Sequence, residues 1–350
     1  MVSGGEKAER ELSDAITAQG PGALAGIACK ILMKILYAAR MCRYDLLKAV
    51  GSLASRVTKW DKICDEELHR LVSYIQHNKH IVMVSYVGDS PKELFLQLYS
   101  DADFASDLRS SRSTSGTFLK IAGPNTSAPL AAQSKKQTAV SHSTPEAEIV
   151  AADQAVRGEG LPALTLWETI LNRKLTLNFK EDNSAATRII ETGRNPTLRH
   201  LNRTHKVDLR FLHEQVKSEA MKIEQCPTKE MCADIFTKGF STAEKWVHAL
   251  SNINHAVLDN MNWSNGQNAA PVCGPKGPTD FTGCNRVLIE FCCGDKSKLG
   301  TTTKHSQRYF ILRLTERIDM TTEAGVSLAM HVINKAHKQG LPVLLWGAIP

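Results

Sequence analysis

Four carboxylates that lie far apart in the chain could together hold metal ions: Asp101, Glu148, Asp182 and Asp234. Asp101 follows a strand-like alternation, Asp182 ends another, and Glu148 and Asp234 fall within predicted helices. Hard cations such as Mg²⁺ prefer carboxylate oxygens as ligands. Cleavage of a phosphodiester with two such ions requires acids that hold the ions about 3.5–4 Å apart. These four acids are therefore the candidate catalytic and metal-binding residues.

Each of these acids also has a simpler explanation when it is taken alone. Asp101 could merely end a strand, and Glu148 could be an exposed helix residue. Asp182 could be the N-cap of the helix that follows it. Asp234 could pair with Lys238 one helical turn further on. Their spacing by itself does not decide between these explanations and a metal site.

The hydrophobic pattern predicts one sheet that would position these acids. Leu94, Leu96 and Leu98 recur at alternate positions, which indicates a half-buried strand. The predicted strands are 94–98, 114–122, 128–134, 175–181 and 221–225. One predicted helix begins at 144 and continues as 163–171 after a break at 158–162. Further helices are predicted at 184–192, 206–218, 228–238 and 242–251. Three hairpin-linked strands followed by crossover units imply an α/β fold, with a mixed five-stranded sheet and flanking helices.

The sequence outside this sheet divides into four further regions. Residues 1–22 contain glycine breakers and predict disorder, whereas 23–91 carry helical periodicity and predict a helical segment. The sheet region spans 92–255, and a linker with little periodicity follows at 256–284. Residues 285–350 predict a strand–helix–strand fragment that resembles an incomplete doubly wound fold.

Composition favours a non-membrane protein with reduced thiols. The apolar run from Ala23 to Ala39 is interrupted by Lys30 and Lys34, so it is too short and too charged to span a bilayer. The start of the chain is polar and predicts no signal peptide. Nine cysteines occur without a Cys-x-x-Cys pair, which argues against a zinc ribbon and for the cytoplasm or nucleus. The net charge of +7 is compatible with a nucleic-acid partner but does not establish one.

Seven short strings, in this order, resemble the ribonuclease H of copia-type retrotransposon Pol polyproteins. They are Tyr99-Ser100-Asp101-Ala102-Asp103-Phe104-Ala105, Arg112-Ser113-Thr114-Ser115-Gly116, Gln133-Ser134-Lys135-Lys136-Gln137, Ser143-Thr144-Pro145-Glu146-Ala147-Glu148, Asp182-Asn183-Ser184-Ala185-Ala186, Arg203-Thr204-His205-Lys206-Val207-Asp208 and Ala233-Asp234-Ile235-Phe236-Thr237-Lys238. The resemblance covers roughly residues 25–255. The part before residue 92 looks like the segment that joins the reverse transcriptase to this nuclease.

The resemblance implies a ribonuclease H-like fold and an endonuclease that cuts the RNA strand of RNA–DNA hybrids. Its four acids fall on Asp101, Glu148, Asp182 and Asp234, and only the resemblance ranks Asp101 above Asp103. The cofactor implied is a pair of Mg²⁺ or Mn²⁺ ions, because four adjacent carboxylates stay ionised only when cations neutralise them. No organic cofactor is expected for this region. The remainder of a retrotransposon polyprotein is an expected partner, and a membrane is not.

Basic residues at loops and element ends are the candidates for holding the phosphates of the hybrid. Ordinary solvated charge is the alternative for each of them. Recognition is expected through the shape of the hybrid and its 2′-OH groups. The candidates are Arg109, Arg112, Lys135, Lys136, Arg199, Arg203 and Lys206.

The sequence departs from the family pattern in several places. The loop 225–229 has no His, a residue that ribonucleases H often carry there, which predicts slow product release. Pro145 enters the first turn of the predicted helix, where proline is tolerated. A Tyr-x-Asp-Asp string is absent, so DNA synthesis is not expected. These departures leave an alternative open: a catalytically decayed retroelement remnant that keeps a nucleic-acid-binding fold.

The C-terminal fragment weakly resembles the start of an S-adenosylmethionine-dependent methyltransferase. The strand at 287–291 runs into a turn that contains Gly294, but a single glycine is a weak signal for a cofactor loop. We therefore expect this incomplete half to do no chemistry and to bind no S-adenosylmethionine.

Overall fold

The computed structural model describes residues 20–107, 110–257, 286–291, 309–314, 323–341 and 343–347. Most of the predicted disorder at 1–22 and of the predicted linker at 256–284 lies outside these residues, as do Arg109 and Gly294. The chain divides into two compact units. Unit 1 comprises 1–83, 95–122 and 129–261, and unit 2 comprises 84–94, 123–128 and 262–350.

Helices and strands alternate along much of the chain. The helices are α1 (Ala25–Met41), α2 (Leu47–Ala54), α3 (Lys62–His77), α4 (Thr144–Ala155), α5 (Leu161–Leu171), α6 (Ser184–Thr192), α7 (Leu201–Thr204), α8 (Leu209–Lys217), α9 (Ala243–Asn252) and α10 (Glu323–Lys338). The strands are β1 (Ile81–Met83), β2 (Tyr86–Val87), β3 (Phe95–Asp103), β4 (Thr114–Gly123), β5 (Thr126–Lys136), β6 (Leu177–Glu181), β7 (Met221–Gln225), β8 (His255–Val257), β9 (Arg286–Phe291), β10 (Tyr309–Leu314) and β11 (Val343–Gly347). Among the described residues, no helix combines the length and apolar character needed to span a bilayer.

The main sheet of unit 1 has the strand order β5-β4-β3-β6-β7. β3 pairs antiparallel with β4, whereas β3 with β6 and β6 with β7 are parallel. Helices connect the parallel strands, as a crossover between such strands requires. The predicted fold class, a mixed sheet with flanking helices in the ribonuclease H-like arrangement, is therefore confirmed. Unit 1 also holds the short antiparallel pair of β1 and β8.

The N-terminal helices share their core with the sheet. Tyr44 makes an edge-on ring contact with Phe118 of β4, and Phe118 stacks on Phe236. Leu32 of α1 and Leu68 of α3 are fully buried in the same cluster. Residues 23–83 and the sheet residues 95–122 belong to the same compact unit, because these helices cover an apolar part of the sheet. The predicted division into 23–91 and 92–255 stays a prediction.

Helix α4 lies against the central strand because small side chains line the contact. Ala147 and Ala151 of α4 form a buried cluster with Ala102 of β3. The Ser143 hydroxyl caps the helix by accepting from the Glu146 amide, and Pro145 is accommodated in the first turn. Small residues at these positions let the two backbones approach closely, which places α4 beside the strand that carries Asp101.

The structure corrects three of the predicted helical segments, and other helix ends differ by one or two residues. The break expected at 158–162 is instead a π-helical turn, Val156–Gly160, that continues α4 into α5. A Cβ on Gly160 would lie 2.7 Å from Leu177 Cδ2, so this glycine permits close contact with the sheet. The helix expected at 206–218 begins at Leu209, because Lys206 has a left-handed backbone (φ 60°) and Asp208 caps the helix.

The third correction concerns the segment that carries Asp234. The helix expected at 228–238 is two 3₁₀ turns, Thr228–Glu230 and Cys232–Phe236. Met231 separates the turns with extended backbone (φ −70°, ψ 98°) and is buried. An α-helix cannot continue through an extended residue, so Asp234 lies on a compact turn.

Unit 2 contains a three-stranded parallel sheet in the order β10-β9-β11. Helix α10 connects β10 to β11, which agrees with the strand–helix–strand pattern read from the sequence. In the same unit, β2 pairs antiparallel with the first residues of β5, Tyr86 with Ser127 and Val87 with Thr126. This short strand makes six strands in the sheet that the sequence predicted with five. The resemblance to a methyltransferase stays a prediction.

Candidate metal centre

Five acids converge at the ends of the two central strands. Asp101 lies on β3, Glu181 ends β6 and Asp182 follows it, Glu148 lies on α4, and Asp234 lies on the second 3₁₀ turn. Their carboxylate oxygens form two groups in which every ligand atom lies within 4.8 Å of the others. Asp101, Asp182 and Asp234 form the first group, and Glu148, Glu181 and Asp182 form the second. The structure thus brings the four predicted acids together and adds Glu181.

Glycine opposite Asp101 allows the turn with Asp234 to reach this position. Gly116 of β4 is the register partner of Asp101. A Cβ on Gly116 would lie 2.8 Å from the Ala233 carbonyl oxygen and 2.7 Å from Thr237 Cγ2. Such distances are too short for real contacts, so only glycine permits this approach. Gly116, from the string 112–116, therefore allows Asp234, from the string 233–238, to lie beside Asp101.

Asp101 is held by two neighbours from the segment after Asp234. The Thr237 hydroxyl donates to Asp101 Oδ2. The ammonium of Lys238 lies 3.2 Å from Asp101 Oδ1 and 2.7 Å from Asp234 Oδ1. Asp101 is almost fully buried, whereas Asp234 is half-buried. Asp234 thus pairs with Lys238, as its simpler explanation predicts, and it also belongs to the acid cluster.

Asp182 is not a helix cap. The side chain of Asn183 caps α6 by accepting from the amides of Ala185 and Ala186, each at 3.0 Å. Asp182 instead accepts from the Thr228 hydroxyl at 3.2 Å, and its backbone carbonyl accepts from Gln225 Nε2 at 2.6 Å. Its carboxylate is therefore free of the helix and belongs to both acid groups.

The two acids of the Glu146-Ala147-Glu148 string face different surroundings. Glu146 is buried and accepts from the His142 amide, and its Oε1 lies 3.0 Å from His200 Nε2. Glu148 lies in the acid cluster, and its Oε2 is buried without a hydrogen-bond partner among the described residues. An unpartnered buried carboxylate oxygen is costly unless something outside the protein binds it.

Glu181 was missed at the sequence level. Its Oε1 accepts from the Asn183 amide at 3.1 Å, and its Oε2 accepts from the Ser100 hydroxyl at 3.3 Å. The signal that could have found it is the alternation of β6, in which Leu177, Phe179 and Glu181 share the buried face. A glutamate on that face, next to Asp182, had to be paired, coordinated or protonated.

The pKa values of the cluster indicate an excess of negative charge. Burial, and then the charges of Glu181 and Asp101, raise the pKa of the Glu148 carboxyl to about 10. Burial and the charge of Asp182 raise the pKa of Glu181 to about 8, although the Asn183 amide opposes the shift. Burial and Asp101 raise the pKa of Asp234 to about 7. The Lys238 ammonium alone does not compensate this excess of negative charge, so the cluster is suited to divalent cations.

The residues fit such cations in their donor set as well. All five ligands offer carboxylate oxygens, with no thiol or imidazole in either group, which suits Mg²⁺ or Mn²⁺ and not a softer metal. The buried Oε2 of Glu148 has a free lone pair for one ion. Asp103, which the residues alone did not separate from Asp101, belongs to neither group among the residues that the structure describes.

The predicted phosphate contacts lie on the surface of unit 1, except Arg109, which is outside the described residues. Lys136 is half-buried and its ammonium lies 2.8 Å from Asp107 Oδ2. The remaining side chains are exposed, and they are those of Arg112, Lys135, Arg199, Arg203 and Lys206. Their role in nucleic-acid binding stays a prediction.

Comparison with known proteins identifies relatives of two kinds. The chain is 28% identical over 206 residues to the retrovirus-related Pol polyprotein from transposon TNT 1-94 of Nicotiana tabacum, a match that covers 58% of this chain and 14% of that protein. It is 31% identical over 140 residues to the secreted RxLR effector protein 161 of Plasmopara viticola, covering 40% of this chain and 89% of that protein. This chain and that protein therefore belong to one family. The chain spans about 14% of the length of the tobacco polyprotein. No family model matches the chain.

Solved structures with some similarity are ribonucleases H. LC11-RNase H1 from compost matches at 12% identity with a TM-score of 0.26 over 41% of this chain and 92% of that one. The same enzyme in complex with an RNA/DNA hybrid matches at 13% with a TM-score of 0.28, over 41% and 93%. An N-terminal RNase H domain from Mycobacterium tuberculosis matches at 12% with a TM-score of 0.27, over 41% and 91%. Strand order and direction, and not these superpositions, support the fold assignment here.

Proposed function

We propose that this chain is part of a retrotransposon-related Pol polyprotein, like the tobacco protein that it resembles, and that its ribonuclease H-like domain hydrolyses the RNA strand of RNA–DNA hybrids. The observation that supports this most is the convergence of Asp101, Glu148, Asp182 and Asp234. The seven strings, four of which contain these acids, resemble the copia-type enzymes, and the resemblance implies this reaction.

Two cation positions that share Asp182 are the proposed catalytic centre. The first would be held by Asp101, Asp182 and Asp234, and the second by Glu148, Glu181 and Asp182. Two bound Mg²⁺ or Mn²⁺ ions supply activation of the attacking water, stabilisation of the leaving 3′ oxygen and neutralisation of charge on the phosphate. Glu181 enters this proposal from the structure alone.

The chain's own residues orient the acids for this role. The Thr237 hydroxyl fixes one oxygen of Asp101, so the other is directed toward Lys238 and Asp234. Thr228, in the first of the two 3₁₀ turns, fixes one oxygen of Asp182. Such neighbours reduce the number of rotamers open to each acid, which keeps the ligand oxygens close before any ion binds.

The substrate would be held through its backbone and shape. Exposed basic side chains such as Arg112, Lys135 and Arg203 are proposed to contact phosphates of the hybrid. Lys136 is a weaker candidate because it already pairs with Asp107. Contacts to 2′-OH groups would distinguish the RNA strand from DNA.

Cleavage of an end-labelled RNA–DNA hybrid by the purified chain tests the proposal. We expect cuts in the RNA strand with Mg²⁺ or Mn²⁺, none in chelator, and none in a DNA duplex of the same sequence. Binding of the same hybrid is measured in parallel. A chain that binds the hybrid but does not cut it with either metal would support the alternative of a decayed remnant and would contradict the proposed activity.

A further inference from the structure

One side chain lies where the first proposed cation would be. The Lys238 ammonium is 3.2 Å from Asp101 Oδ1 and 2.7 Å from Asp234 Oδ1. Those two acids supply two of the three ligands of the first acid group, and the third is Asp182. A single positive charge thus bridges carboxylates that a divalent ion would otherwise bridge.

Local helix geometry accounts for only one of these two contacts. Asp234 and Lys238 are four residues apart, and the Lys238 amide donates to the Asp234 carbonyl at 2.8 Å. The contact with Asp101 joins this segment to the distant strand β3. The ammonium therefore compensates charge of the acid cluster and is more than the helical-turn partner of Asp234.

The Lys238 side chain is also able to leave this position. It is 37% exposed, whereas that of Asp101 is 2% exposed. Lysine carries its charge on a flexible four-carbon stem. The backbone of Lys238 stays fixed by its hydrogen bond, so the ammonium can turn outward while the acids remain in place.

We propose that Lys238 is a built-in counter-ion that occupies the first cation position in the metal-free protein and yields it to a divalent metal. This inference rests on the metal centre of the proposed function. It assigns Lys238 a role in setting the metal concentration at which the first position fills, because an ion that enters there must displace a charge that already neutralises Asp101 and Asp234. The displaced ammonium would stay next to the ions, where the scissile phosphate brings negative charge.

Calorimetric titration of Mn²⁺ into the whole chain tests this inference without using cleavage. The variants are Lys238→Met and the matched control Lys229→Met, which removes an exposed lysine of the preceding turn. We expect Lys238→Met to bind Mn²⁺ about tenfold more tightly than the wild type, because a competing like charge near the ion is gone. The control should bind like the wild type. Equal or weaker binding by Lys238→Met would overturn the inference.

Thermal unfolding of the same proteins gives a second readout. In chelator, Lys238→Met should unfold at a lower temperature than the wild type, since its acids have lost their counter-ion. Saturating Mn²⁺ should abolish or reverse the difference, because the metal replaces the ammonium. Lys238→Gln, which keeps a polar group, should behave in the same way. A variant that stays equally destabilised with Mn²⁺ would contradict the exchange.

The two proposals fail in different ways. A wild-type chain that binds Mn²⁺ but cuts no hybrid would contradict the proposed function and leave the Lys238 comparison intact. A chain that cuts the hybrid but shows the same Mn²⁺ affinity with and without Lys238 would contradict the counter-ion alone. If neither the wild type nor Lys238→Met binds Mn²⁺, both are wrong.

Discussion

In chelator, a rise in pH should lower the free energy of unfolding of this protein, and the raised pKa of Glu148 sets the size of the loss. Burial and neighbouring acids raise the pKa of Glu148 from the ordinary 4.5 to about 10 in the folded chain. A carboxyl whose folded pKa is raised contributes stability that is fully present below its unfolded pKa. That stability is lost as the pH rises toward the folded pKa, here between about 4.5 and about 10.

The expected loss follows from proton linkage. Between about pH 5 and about pH 7 the unfolded chain has released the Glu148 proton and the folded chain retains it. Each pH unit then costs about 1.4 kcal/mol, so the free energy of unfolding should fall by roughly 2–3 kcal/mol over this range. For a unit of this size, that corresponds to a fall of roughly 5–10 °C in the melting temperature. Glu181 and Asp234, whose pKa values are also raised, should add to the loss.

Urea unfolding followed by tryptophan fluorescence measures this at several pH values in chelator. The Glu148→Gln variant is the control, because an amide at this position cannot ionise. It should show a shallower pH dependence than the wild type, and at pH 7 without metal it should be the more stable protein. Stability that does not fall with pH in the wild type, or an equal fall in Glu148→Gln, would show that the pKa of Glu148 is not raised in the folded chain.

Three substitutions test how the acids are positioned. Asp182→Asn should lower hybrid cleavage about a thousandfold without loss of stability, because Asn183 already caps α6. The control is Glu191→Gln, which changes an exposed residue of the same helix, and undiminished cleavage by Asp182→Asn would show that Asp182 is not a metal ligand. Thr237→Val should reduce cleavage about tenfold, because the hydrogen bond to Asp101 is lost, whereas Thr237→Ser keeps a hydroxyl and should cleave like the wild type. Equal activity of the two variants would show that the hydroxyl does not contribute to cleavage. Gly116→Ala should destabilise the fold by roughly 1–3 kcal/mol and reduce cleavage, because the added Cβ would be too close to Ala233 and Thr237. A variant as stable as the wild type would contradict that close contact.

Much of the sheet and four of the five acids could be predicted from the sequence. Alternating leucines located β3. The strand 221–225 and the helix 184–192 were predicted with the bounds that the structure shows. Gly193 ends that helix with a φ of 65°, a conformation that favours glycine. These features are local, since periodicity and end residues depend on one element at a time. The acids were ranked by resemblance, because nothing local distinguishes Asp101 from Asp103.

The remaining features depend on contacts between elements. The turn that carries Asp234 was predicted as a helix because its residues are compatible with one, yet close packing against Gly116 and the extended Met231 produce two 3₁₀ turns. Thr237 and Lys238 lie next to Asp101 only because that turn folds over β4. The register of β3 against β4 sets this contact, and register is a long-range property that spacing along one strand does not report.

Anomalous diffraction from Mn²⁺-soaked crystals of the whole chain tests the two-metal centre most directly. We expect two peaks roughly 4 Å apart. One lies among Asp101, Asp182 and Asp234, and the other among Glu148, Glu181 and Asp182. The Lys238 ammonium should have moved away from Asp101. A single peak, peaks that do not share Asp182, or no peak with Lys238 still bridging Asp101 and Asp234, would contradict a two-metal centre in this protein.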